Sequence, residues 1–226
     1  MQTATPHRAT PARQPRWERR KERRPAELVA AALDLFVERG YAATRLDDVA
    51  ARAGVSKGTL YLYFDSKEDL FKAVVRERIV PLLEASRRTL EQPGASSEVL
   101  IRQFFRDWWQ TFGATDLAGI AKLVLGEAGN FPEVARFFHA EVIEPNNAVF
   151  GALVRRGIAR GEFRDQDPLA ATQLCLSPLV LKAIWARSFE QHVPPGAGID
   201  PERFLAAHAD FVMAALRAPE PCGSSR

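Results

Sequence analysis

The chain has 226 residues, 46% of them hydrophobic, enough for one large or two small domains around a sizeable core. Its two cysteines, Cys175 and Cys222, make no disulfide framework, and no uncharged apolar run reaches the roughly eighteen residues of a membrane span. The formal net charge is +3, but its placement is more telling than its total.

Residues 1–24 hold Arg8, Arg13, Arg16, Arg19, Arg20, Lys21, Arg23 and Arg24 against Glu18 and Glu22. That is eight cations against two carboxylates, or +6, and it leaves the rest of the chain at −3. Pro6, Pro11 and Pro15 and a scarcity of apolar residues predict a disordered arm. Such an arm can track phosphates or enter a minor groove, or it can be a solvated leader. No apolar segment follows the charges, so no secretory signal is expected. With the cysteine usage, this points to a cytoplasmic protein.

Pro25 suits a first helical position, and Leu28, Ala32, Leu35 and Phe36 form a stripe that Gly40 ends. Leu46, Val49, Ala50 and Ala53 make the apolar face of a second helix. Gly54 supplies the left-handed backbone that stops it, and Ser56 caps a short third helix near Thr59. On that third helix Leu60 and Phe64 face inward, while Thr59, Tyr61 and Tyr63 point elsewhere. Two helices joined by a glycine turn are a helix-turn-helix, whose second helix enters the DNA major groove.

Ser66 can cap a fourth helix that opens with Glu68 and Asp69 and continues through Phe71, Val74, Val75, Ile79, Leu82 and Leu83. Pro81 should kink it. Helical spacing returns in Ile101, Phe104, Phe105, Trp108 and Phe112, then in Leu117, Ile120, Val124 and Leu125. Phe131-Pro132 opens a helix bearing Val134, Phe137, Phe138 and Val142, which Pro145 should bend. Asp167-Pro168 and Asp200-Pro201 each form a cap and first-position pair for the last two long helices. No alternating run predicts a strand. The expected fold is all-α with about nine helices: an arm (1–24), a three-helix DNA-binding domain (25–71), a regulatory and dimerisation domain (72–217) and a flexible tail (218–226).

The stretch from Pro25 to Phe71 resembles the DNA-binding domain of TetR-type transcriptional regulators. The resemblance rests on AALDLFVERG, Gly40-Tyr41-Ala42-Ala43-Thr44, Val49-Ala50, Ala53-Gly54-Val55-Ser56, Gly58-Thr59-Leu60-Tyr61, Tyr63-Phe64 and Lys67-Glu68. Arg45 departs from it, since many relatives carry a second threonine there; an arginine would reach a phosphate as a charge. The expected interface has Ser56 and the helix start at Lys57 and Gly58 against a phosphate. Lys57, Tyr61 and Lys67 would hold the DNA backbone, with Thr44 as cap or contact. Thr59, Leu62 and Tyr63 are candidates for base edges. The resemblance implies DNA contacts for Tyr61, Tyr63 and Lys67.

Two expectations concern the second domain. Both of the last two long helices are apolar over wide faces, which suits a homodimer, or mutual burial within one chain. The resemblance implies the dimer, and with it a palindromic operator. Phe105, Trp108, Phe112, Phe138 and His139 are candidates for a small-molecule pocket, although aromatic stripes equally build plain core. The resemblance implies an inducer bound in this domain, and so a ligand-released repressor. The four histidines have no metal-binding spacing, no nucleophile motif is present, and neither cofactor nor enzymatic activity is expected.

Overall fold

The computed structural model describes residues 16–90, 94–194, 196 and 198–218. Residues 1–15 of the expected arm, and Cys222 with most of the expected tail, lie outside them. Helix α1 spans Arg16–Ala43 with Pro25 inside it, so the helix begins well before the position expected from the proline. Its regular path ends at Gly40, whose φ of 82° and ψ of 170° turn the last residues aside. Helices α2 (Leu46–Arg52) and α3 (Lys57–Tyr61) follow, joined through Gly54 at φ 66°. Helix α4 (Lys67–Arg78) closes this head over Leu28, Ala32, Leu35, Phe36, Val49, Leu60, Phe71 and Val74, all within 1% of full burial.

The fourth helix breaks at Ile79, and α5 (Val80–Leu90) carries Pro81 in its first turn, where a missing N–H costs no hydrogen bond. Helix α6 (Ser97–Trp108) runs on through a π turn, Trp109–Gly113. Helix α7 (Leu117–Glu127) comes next, then α8 (Pro132–Phe138), a second π turn (His139–Ile143) and α9 (Glu144–Ala159). Pro145 explains the second π turn. In a regular helix its ring would meet the Glu141 carbonyl, and one extra residue in the turn relieves that clash. Helices α10 (Pro168–Ser188) and α11 (Pro201–Leu216) complete the body, capped by Asp167 and Asp200 as expected. Counting segments that run on through a π turn or a one-residue break as single helices gives nine among the described residues.

Helix α1 packs on α4 and α7, α10 on α7 and α9, and α11 on α6. The body core is aromatic: Phe105 stacks on Phe150 at 5.7 Å and Phe104 meets Phe150 edge-on at 5.3 Å. His208 lies between Phe105 and Phe204 and donates from Nε2 to the Cys175 carbonyl at 2.8 Å, tying α11 to α10. By length and composition alone α10 could cross a membrane. Here Ala171, Cys175, Leu179 and Ala183 line its buried face, while Leu174, Leu181 and Trp185 stand exposed at 75%, 62% and 45%. Phe211 of α11 is 76% exposed. Apolar faces on both sides of α10 account for its composition.

Candidate nucleic-acid interface

Ser56 has extended backbone, and its hydroxyl accepts from the Thr59 N–H at 3.1 Å while lying 2.8 Å from the Thr59 hydroxyl. This cap fixes where α3 starts. Leu60 is fully buried and anchors α3 to the head, whereas Tyr61 is 44% and Leu62 80% exposed. Lys57 and Gly58 are exposed at the start of the same helix, Thr59 is half-buried, and Tyr63 packs partly against the head core. Lys57, Gly58, Tyr61 and Leu62 therefore share one outward-facing segment, while Thr59 and Tyr63, expected to point away from the core, are half-buried.

The electrostatics of this face are more constrained than the sequence suggests. The Lys57 ammonium lies 2.9 and 3.0 Å from the two carboxylate oxygens of Asp47, and that hydrogen bond raises its pKa. Arg39 pairs with Asp48 at 3.0 Å, and Arg52 with Glu38 through two hydrogen bonds of 3.0 and 2.9 Å. Arg45 is exposed, lies close enough to Lys57 to depress its pKa, and has no ion-pair partner among the described residues.

Two expected contacts have other work in the fold. Thr44 is 2% exposed and its hydroxyl donates to the carbonyls of Leu35 and Gly40, so its side chain cannot reach a phosphate. It joins the end of α1 to the start of α2 instead. Lys67 donates two of its ammonium protons to the carbonyls of Tyr41 (2.7 Å) and Ala42 (3.2 Å) and sits 4.5 Å from the centre of the Tyr41 ring. Burial lowers its pKa. Lys67 is a cap on the displaced end of α1, with one proton left to offer.

On the opposite side of that same turn lies Glu127, from the end of α7. Its carboxylate accepts the N–H groups of Tyr41 (2.8 Å) and Ala42 (2.9 Å). Tyr41 also packs edge-on against Phe131 at 4.8 Å and Phe71 at 5.6 Å. The turn is thus held by the body through Glu127 and by α4 through Lys67. A second tether joins α4 to the π turn after α8, where Arg76 pairs with Glu141 at 2.7 Å.

The expected ligand residues are placed differently from one another. Phe105, Trp108, Phe112 and Phe138 are all buried at 9% exposure or less. His139 is exposed. A shallow surface crevice with no enclosed space for even a water molecule lies at the junction of head and body, lined by Tyr41, Leu123, Val124, Glu127, Ala128, Phe131, Val134 and Ala135. None of the five expected residues borders it. Among the described residues no cluster of histidine, cysteine and carboxylate groups could hold a metal.

Residues 28–74 match the family of bacterial regulatory proteins, tetR family, and residues 96–192 match its tetracyclin repressor-like C-terminal domain. The chain belongs to the TetR family. It is a DNA-binding transcriptional regulator rather than an enzyme. The Fatty acid metabolism regulator protein of Bacillus subtilis is 24% identical to it over 64% of this chain and 74% of that one. The HTH-type transcriptional activator FasR of Mycolicibacterium smegmatis is 44% identical, over 32% of this chain and 41% of that protein. The fold is shared with the crystal structure of FadR from Bacillus subtilis in complex with stearoyl-CoA, at a TM-score of 0.70 and 19% identity, covering 84% of this chain and 98% of that one.

For a TetR-family regulator, the residues that sequence reasoning missed are Asp47 and the true role of Glu127. Asp47 precedes Lys57 by ten positions and belongs to a different helix, so no periodicity links them. Glu127 carries no spacing signal either. Its partners are backbone amides exposed by the turn at Gly40, and those leave no mark in the sequence.

Proposed function

We propose that this regulator is a cytoplasmic homodimeric repressor that binds a palindromic operator and is released by a small-molecule effector. The observation that carries the reading is the exposure of Leu62 and Tyr61 beside Lys57 and Gly58 on a segment whose inner residue, Leu60, is completely buried. Tyr61 and Lys57 contact the phosphate backbone, with Ser56 at the same helix start; Arg45 adds a charge contact. Thr59, Leu62 and Tyr63 lie toward base edges.

The exposed stripe of Leu174, Leu181 and Trp185 on α10, with Phe211 on α11, supports pairing with a second copy. Two-fold pairing puts the two α3 segments in successive major grooves, about 34 Å apart. Release works through the junction of head and body. An effector that opens the body shifts α7 or α4 and alters the grip of Glu127 and Lys67 on the turn at Tyr41–Ala42. A hundredfold loss of operator affinity requires about 2.7 kcal/mol of differential binding to the released state.

The stearoyl-CoA complex of the Bacillus subtilis protein makes a long acyl chain the first effector class to test. Small-molecule sites usually occupy about 300–1,000 Å³, so the body must open to admit one. A second reading, a regulator with no small-molecule effector, draws support from the same filled core around Phe105 and Phe150. Selecting bound sequences from a random duplex pool tests the first reading. The expected product is an inverted repeat; enrichment of a single unrepeated half-site would contradict the dimer, and no enrichment would contradict sequence-specific binding.

A further inference from the structure

We propose that Asp47 is a specificity-determining residue, which keeps the Lys57 ammonium off DNA phosphates until the α3 segment is seated on its own site. This rests on the reading above, in which Lys57 faces DNA. The Asp47 carboxylate grips Lys57 through both oxygens, at 2.9 and 3.0 Å. Both side chains are exposed, at 48% and 61%, so the pair is held by mutual attraction rather than by burial. It bridges the first turn of α2 and the first residue of α3, where the recognition segment begins.

On arbitrary DNA the phosphates meet a cation already neutralised and an anion that repels them. Non-specific affinity comes almost wholly from cations that displace counterions, so this pair removes about one such contribution. Arg45, close by and without a partner among the described residues, remains available for that loose contact. On a correct site the exchange is different. Lys57 leaves Asp47 for a phosphate, and the freed carboxylate accepts from a base-edge amino group, N4 of cytosine or N6 of adenine, in the major groove. Asp47 thus weakens every complex except one that places a donor opposite it.

Asp47→Asn tests this, with Asp48→Asn as the control that removes a neighbouring charge paired to Arg39 instead. Binding is measured by fluorescence anisotropy over a KCl series, on a duplex selected from a random pool and on a scrambled duplex of equal composition. Asp47→Asn is expected to tighten the scrambled complex about fivefold and to steepen its log K against log salt slope by about 0.9, one extra phosphate contact. The selected complex should tighten much less, and Asp48→Asn should leave the ratio of the two affinities unchanged. In a Lys57→Ala background Asp47→Asn should no longer steepen the slope. Equal tightening on both duplexes, or the same slope change without Lys57, overturns the inference while leaving DNA recognition intact. A pool that yields no enriched duplex overturns the function itself and this inference with it.

Discussion

A Cβ placed on Gly40 would lie 2.7 Å from Oε1 of Glu127. The glycine is needed twice over, for its φ of 82° and for the space that lets the carboxylate reach the amides of Tyr41 and Ala42. Gly40→Ala should therefore cost about 1–3 kcal/mol, as strain at a left-handed position does. Glu127→Gln replaces one acceptor oxygen with an N–H donor facing an amide and should cost about 1–2 kcal/mol. Urea denaturation of both single variants and the double variant measures these losses. Because the residues touch, the double variant should lose less than the sum; strict additivity would mean that they do not share one contact.

Lys67→Ala should lower stability and weaken binding to every duplex alike, because the end of α1 loses its cap. The salt slope should stay near the wild-type value, since two ammonium protons already serve Tyr41 and Ala42. A slope flatter by about 0.9 would instead identify a phosphate contact.

Leu181→Glu, placed at a site 62% exposed, should leave the protomer's helical fold intact and lower the melting temperature only by what association contributes. Sedimentation should then show monomers, and affinity for a palindromic duplex should fall at least about a hundredfold as the second head is lost. A variant that stays dimeric would move the interface away from this face of α10.

His208 gives a pH dependence with a definite sign. Burial lowers its pKa below 6.5, and the hydrogen bond to the Cys175 carbonyl only partly offsets that. The unfolded chain therefore binds a proton more readily than the folded one. The contribution of this residue is complete above pH 6.5 and declines as pH falls from there toward the folded-state pKa. The melting temperature should drop as pH falls below about 6.5, before the carboxylates begin to titrate. His208→Gln, which keeps a donor for Cys175, should reduce that drop; an equal drop in the variant would assign it elsewhere.

Local chemistry was the legible part of the sequence. Ser56, Ser66, Asp167 and Asp200 cap the helices they precede because a cap needs only its own next few residues. Pro81 and Pro145 mark real interruptions for the same reason. Pro25 misled because a proline tolerated at a helix start can also sit within a longer helix. His139 is exposed beside the buried Phe138 because successive helical residues point about 100° apart. Thr44, Lys67 and Glu127 were illegible in role because their partners are backbone groups brought together by the turn at Gly40.

Hydrogen–deuterium exchange of the protein, free and bound to a duplex selected from a random pool, is the most direct test of which surface meets DNA. Protection at residues 45–63, strongest from Ser56 to Tyr63, is the predicted result. Protection confined to α10 and α11, with the Lys57–Leu62 segment exchanging as in the free protein, would contradict it.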